Sequence, residues 1–105
     1  MPFYLHQWVY KDATVRDMVV KPQNREDIVR VASEAFKGRL LHFYLSFGEY
    51  DGVCISEFPD NQTAMAFLML VLGQGAVERI KTTALMSPEE ARGAMELAHE
   101  VLTRS

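Results

Sequence analysis

The chain has 105 residues, 49% of them hydrophobic and 24% charged, with a formal net charge of −3. These values fit one globular domain over residues 1–105 and exclude a disordered tail; the acidic balance argues against a nucleic-acid partner, which needs a basic surface. The single cysteine, Cys54, excludes an intramolecular disulfide and a four-cysteine zinc site.

Met1 to His6 has no basic leader region, and the longest apolar run, Ala64 to Leu72, falls well short of the about 20 residues of a membrane span. The expectation is a soluble cytoplasmic protein with no membrane contact.

Phe3 to Tyr10 is rich in aromatic and β-favouring residues and reads as a strand. One face carries Phe3, Leu5, Gln7 and Val9; the other carries Tyr4, His6, Trp8 and Tyr10. Lys11 to Lys21 reads as a connector with a helical turn over Thr14 to Val19. Pro22 resets the chain, and Gln23 to Phe36 reads as a helix with an apolar stripe at Ile28, Val31, Ala32, Ala35 and Phe36. Arg25, Glu26, Arg30 and Glu34 fall outside that stripe, and Gly38 is a plausible stop.

Arg39 to Phe47 alternates again, with Leu41, Phe43, Leu45 and Phe47 on one face and His42, Tyr44 and Ser46 on the other. Gly48 to Gly52 is a turn, and Val53 to Phe58 completes a β-hairpin. Asp60 and Asn61 offer caps for a helix over Gln62 to Leu72, which is apolar nearly all round and must be covered on every side. Val77 to Leu85 reads as a fourth strand. Ser87, Pro88 and Glu90 form a helix-start signature for a last helix over about 88–103. Its stripe is Ala91, Ala94, Met95, Ala98, Val101 and Leu102, the expected cover for the preceding helix, from the same chain or a neighbour.

The order βαββαβ plus a C-terminal helix is the split pattern of a ferredoxin-like α+β fold. A four-stranded antiparallel sheet with two helices on one face leaves the other face bare. A bare face of large apolar groups marks an interface, so a homo-oligomer, at least a dimer, is expected.

The hairpin Phe43 to Val53, containing Gly48-Glu49-Tyr50-Asp51, resembles the signature of the GYD family of small bacterial proteins. Glu57-Phe58-Pro59-Asp60 and Gly75 to Leu85 resemble the same family's helix entry and last strand, and the likeness runs from Phe3 to Met86. Two departures are Lys37-Gly38, where the family has a glycine pair, and a longer C-terminal helix. The resemblance implies a ferredoxin-like fold, grouped with dimeric α+β barrels, in a family largely of unknown function. It carries over no catalytic residue.

Candidate ligand-binding residues are His6, Trp8, His42, Tyr44, Tyr50 and Asp51. The first four would line a cleft if their faces coincide, stacking an aromatic ligand. In the loop, turn chemistry alone accounts for Glu49, Tyr50 and Asp51, the competing reading being a ligand or proton-transfer site. The histidines lack ligand spacing, so no metal and no cofactor are expected. His99 reads as solvated, Cys54 as a buried small hydrophobe, and Arg79 and Lys81 as charges guarding an edge strand. No phosphate-binding loop, metalloprotease pair or nucleophile elbow is present. Two functions follow: an oligomeric module that binds a small ligand or a partner, or a small cofactor-independent monooxygenase or isomerase acting on an aromatic substrate.

Overall fold

The computed structural model describes residues 1–104. Eight elements follow one another: β1 (Phe3–Tyr10), α1 (Asp12–Val20), α2 (Arg25–Ala35), β2 (Arg39–Leu45), β3 (Gly52–Glu57), α3 (Asn61–Gly73), β4 (Val77–Leu85) and α4 (Pro88–Arg104). The strands form one antiparallel sheet in the order β2-β3-β1-β4, the ferredoxin-like arrangement, with β1 and β3 central.

Register separates the two faces. Tyr4 pairs with Ser56 and Ala84, His6 with Cys54 and Thr82, and Trp8 with Gly52 and Ile80. These residues share the face covered by helices. Leu5 pairs with Ile55 and Thr83, and Gln7 with Val53 and Lys81, on the open face. The alternation of β1 is complete: Tyr4, His6, Trp8 and Tyr10 are buried and their neighbours are half-buried.

Two clusters make the core, both on the helix side. Tyr4, Phe58, Ala64 and Phe67 form one, joined by Val29 and Ala32 of α2 and by Phe36, which caps that helix. Trp8, Tyr10, Cys54 and Val77 form the other, joined by Met18, Leu40 and Phe43. Val71 touches both.

Several sequence expectations are corrected. The connector after β1 is a helix, α1, seated by the Thr14 hydroxyl donating to Ala76 O at 2.7 Å and by Met18 packing on the Trp8 cluster. The inward stripe of α2 is Val29, Ala32, Ser33 and Phe36; Val31 and Ala35 face solvent. This helix starts later than expected because Asn24 caps it, its side chain accepting from Glu26 N at 2.9 Å. At its end Lys37, not Gly38, takes the left-handed conformation (φ 60°). Gly38 N and Lys37 N donate to Ser33 O and Glu34 O, a Schellman closure. Gly38 is needed because a Cβ there would overlap the Phe58 ring.

The single-face reading of Leu41, Phe43, Leu45 and Phe47 also fails. β2 carries an irregularity between Leu40 and His42, so Leu41 is the extra residue and Leu40 joins Phe43 on the helix side. Strand β2 stops at Leu45, and Phe47 is fully exposed.

The caps of α3 and α4 form as the sequence suggests: Asp60 accepts from Thr63 N, and Ser87 Oγ from Glu90 N. However, within one chain α4 does not cover α3. From Arg92 to Arg104 every residue of α4 is exposed. The radius of gyration is 17.0 Å, against about 13 Å for a compact chain of this length. The long extent of 63 Å reflects this projecting helix.

A candidate ligand cavity under helix α2

Alternation in β1 places His6, Trp8 and Tyr10 side by side beneath the helices. With Cys54, Phe67, Val71 and Ile80 they wall a cavity of about 60 Å³ between α2, α3 and the sheet. Arg25, Ile28 and Gln74 also line it and are only partly buried or exposed, which places them at its mouth. Trp8 meets Phe43 with ring centroids 5.4 Å apart and Tyr10 edge-on at 6.1 Å. Phe67 packs on the His6 ring at 5.5 Å.

His6 is 1% exposed. Its Nδ1 is hydrogen-bonded with Thr82 Oγ1 at 2.9 Å and its Nε2 with Ser56 Oγ at 2.8 Å. Burial disfavours the imidazolium and pushes its pKa down to about 4, so the ring is neutral at pH 7. Burial likewise pushes the Cys54 thiol up to about 12, which keeps it protonated and poorly nucleophilic. The cavity can therefore stack and enclose an apolar group, but His6 and Cys54 are held away from acid, base or nucleophile chemistry.

The structure brings together only part of the sequence-predicted set. His6 and Trp8 share the cavity. His42 and Tyr44 lie on the opposite, open face, where they pair with Ile55 and Val53 of β3. The four-residue cleft of His6, Trp8, His42 and Tyr44 does not form. Tyr50 and Asp51 sit in the β2–β3 loop at the Trp8 end of β1. Asp51 is bound into the backbone there: its Oδ2 accepts from Tyr10 N at 2.9 Å and its own N donates to Trp8 O at 2.8 Å. Tyr50 O accepts from the Ser46 hydroxyl. Turn chemistry accounts for the Asp51 carboxylate and the Tyr50 carbonyl.

Three lining residues were not singled out from sequence. Tyr10 carries the same alternation as His6 and Trp8. Phe67 is one apolar residue among many in α3. Arg25 falls outside the stripe expected from sequence, yet it precedes Val29, Ala32 and Phe36 by four, seven and eleven positions, the spacing of one helix face. Once that stripe is assigned correctly, Arg25 falls on it.

Among the described residues no three of His, Cys, Asp and Glu gather to hold a metal ion, and no helix is long and apolar enough to cross a membrane.

The hairpin, the helix entry and the last strand all lie inside a match to the GYD domain that spans residues 4–95. The chain belongs to the GYD domain family. No curated protein matches its sequence significantly. This GYD domain is similar in fold to the crystal structure of FFRP-DM1, with 14% identity over 82% of this chain and 100% of that one and a TM-score of 0.59. It is also similar to the hypothetical protein PHS023 from Pyrococcus horikoshii, at 15% identity over 83% and 92% of the two chains and a TM-score of 0.56. The protein Atu4242 from Agrobacterium tumefaciens aligns at 12% identity over 82% and 92%, with a TM-score of 0.51. At these identities the likeness concerns the fold alone.

Proposed function

We propose that this GYD domain is a non-catalytic, oligomeric binding module whose cavity under α2 takes a compact, largely apolar ligand. The observation that carries the reading is the cavity itself: aromatic and aliphatic walls from β1, β3, α2 and α3, with a mouth at partly exposed residues. Small-molecule sites have this character, an apolar body with a few polar groups at the rim. The enzymatic alternative needs a proton-moving group beside the ligand. His6 has both ring nitrogens engaged and is neutral, and His42 and Tyr44 are across the sheet. Binding is thus better supported than turnover.

Assembly is part of the reading. The open sheet face carries Phe3, Leu5, Val53 and Ile55 half-buried and Tyr44 exposed. On α3, Met65, Met69 and Leu72 point outward, and the α4 stripe is bare. Patches of this extent are interface surfaces, and a second copy is the simplest cover. The lone buried thiol suits a reducing, cytoplasmic setting.

Trp8 is the only tryptophan and lines the cavity, so its fluorescence reports occupancy. Single-ring probes (benzoate, benzamide and benzyl alcohol) should give a saturable change for at least one member; a flat response to all three would overturn the ligand site. Light scattering at micromolar concentration should show a dimer or larger, and a clean monomer would overturn the assembly.

A further inference from the structure

The cavity has one fully charged side chain in its lining, and that side chain is incompletely satisfied. Arg25 is the first residue of α2, and its guanidinium lies 5.4 Å from the centroid of the Tyr10 ring. Its Nη1 donates to Gln23 Oε1 at 3.0 Å. Its Nε is buried and has no hydrogen-bond partner among the described residues. Nor does a protein carboxylate answer the charge. Glu26 and Asp27, next in sequence, both pair with Arg30, at 3.1 and 2.9 Å. Every other ion pair among the described residues also leaves Arg25 out.

A buried guanidinium N–H without an acceptor is unfavourable, because water has been removed and nothing has replaced it. The Tyr10 ring beneath the guanidinium stabilises the cation, but its π-face supplies no oxygen acceptor. Nε and Nη2 form the side-on edge of the guanidinium, whose spacing matches the two oxygens of a carboxylate. The edge containing Nη1 is already committed to Gln23.

Size limits the rest of the ligand. A water needs roughly 10–15 Å³ measured this way, so about 60 Å³ is room for about four to six waters. That corresponds to the six heavy atoms of one ring or to a short carbon chain. A ring among Trp8, Phe67 and Val71 leaves its polar substituent at the mouth, where Arg25 stands.

We infer that the cavity binds a small planar carboxylate, its apolar body against Trp8 and Phe67 and its carboxylate on the Arg25 guanidinium at the mouth. This rests on the cavity being a ligand site, as proposed above, and adds the charge class of the ligand and the residue that reads it. A neutral amide of the same shape can offer Arg25 a carbonyl oxygen but no charge to answer the guanidinium.

The test compares benzoate with benzamide, which share a ring and a carbonyl and differ in charge, by Trp8 fluorescence and by thermal shift. Benzoate should bind at least about tenfold more tightly, and its advantage should shrink as salt is raised, because the difference is a charge-assisted contact at a part-exposed site. Arg25→Met keeps an apolar stem over the cavity and should reduce benzoate to the affinity of benzamide. Should that variant not fold, the two compounds on the unaltered protein decide alone. Equal affinities, or an Arg25→Met protein that retains the benzoate preference, overturn the carboxylate assignment while the cavity site stands. If neither compound, nor benzyl alcohol, perturbs Trp8 or the melting temperature, the ligand site fails and the assignment falls with it.

Discussion

The indole of Trp8 occupies the space that a side chain at position 52 would need: a Cβ built on Gly52 overlaps Trp8 Cε2 and Cζ2. The two residues are register partners on β1 and β3, and their contact seats the ring that walls the cavity. Gly52→Ala must push the indole into the cavity or the strands apart. Overpacking of this kind costs about 1–3 kcal/mol. Urea unfolding should show that loss, with altered Trp8 emission in the native baseline. The same replacement at Gly93, in exposed α4 with nothing within 4 Å, gains roughly 1 kcal/mol of helix propensity and should raise helical circular dichroism instead.

The buried imidazole makes stability depend on pH in a defined window. His6 is held neutral in the fold, with a pKa of about 4, whereas an unfolded histidine titrates near 6.5. Above about pH 6.5 neither state binds the proton, and the full stability is present. As pH falls from about 6.5 towards 4 the unfolded chain takes up a proton that the native chain refuses, so stability declines. A shift of this size is worth about 3 kcal/mol by linkage. His6→Gln, which cannot titrate, should flatten the decline; urea midpoints measured at pH 7 and pH 4.5 on both proteins check it.

Asp51 anchors the backbone of β1, and two substitutions separate that role from ligand contact. Its carboxylate accepts the Tyr10 N–H where the β1–β4 register shifts between Val9 and Tyr10. Asp51→Ala leaves that N–H without its acceptor and should cost about 1–3 kcal/mol in urea unfolding. Asp51→Asn retains a carbonyl oxygen and should recover most of it. Neither change should alter the affinity for benzoate beyond what the loss of fold explains. A selective loss of binding by the asparagine variant at unchanged stability would place Asp51 in the ligand site.

The sequence was most informative where period and packing coincide. The β1 alternation placed Tyr4, His6, Trp8 and Tyr10 on one face because both faces of a central strand have fixed, different surroundings. Strand β2 is an edge, and one extra residue at Leu41 exchanged the faces of what preceded it; nothing local marks such a bulge. Nor can alternation within one strand say which face of another it joins. His6 and His42 each lie in an alternating stretch of sequence, yet the pairing of His42 with Ile55 sets it across the sheet from His6. Arg25 was hidden by a different rule. A charged residue at a helix start reads as solvated, and only the inward position of Val29 and Ala32 shows that it leans over the cavity.

Two surfaces could carry the proposed assembly, and two variants tell them apart. Ile55 pairs with Leu5 and His42 at the middle of the open sheet face, so Ile55→Glu places a charge where a second sheet would pack. Helix α4 contributes no buried residue to its own chain, so ending the chain after Met86 removes a surface without opening the core. Desolvating an unpaired carboxylate is costly, and Ile55→Glu should yield a monomer by light scattering. The shortened chain should keep its urea midpoint when monomeric, since the Tyr4 and Trp8 clusters contain no residue of α4. If it remains a dimer, the sheet face holds the pair. If it becomes a monomer while Ile55→Glu stays dimeric, the exposed stripe of Met95, Ala98 and Val101 joins the copies, and the projection of α4 from its own domain is the geometry of an arm that reaches a neighbour.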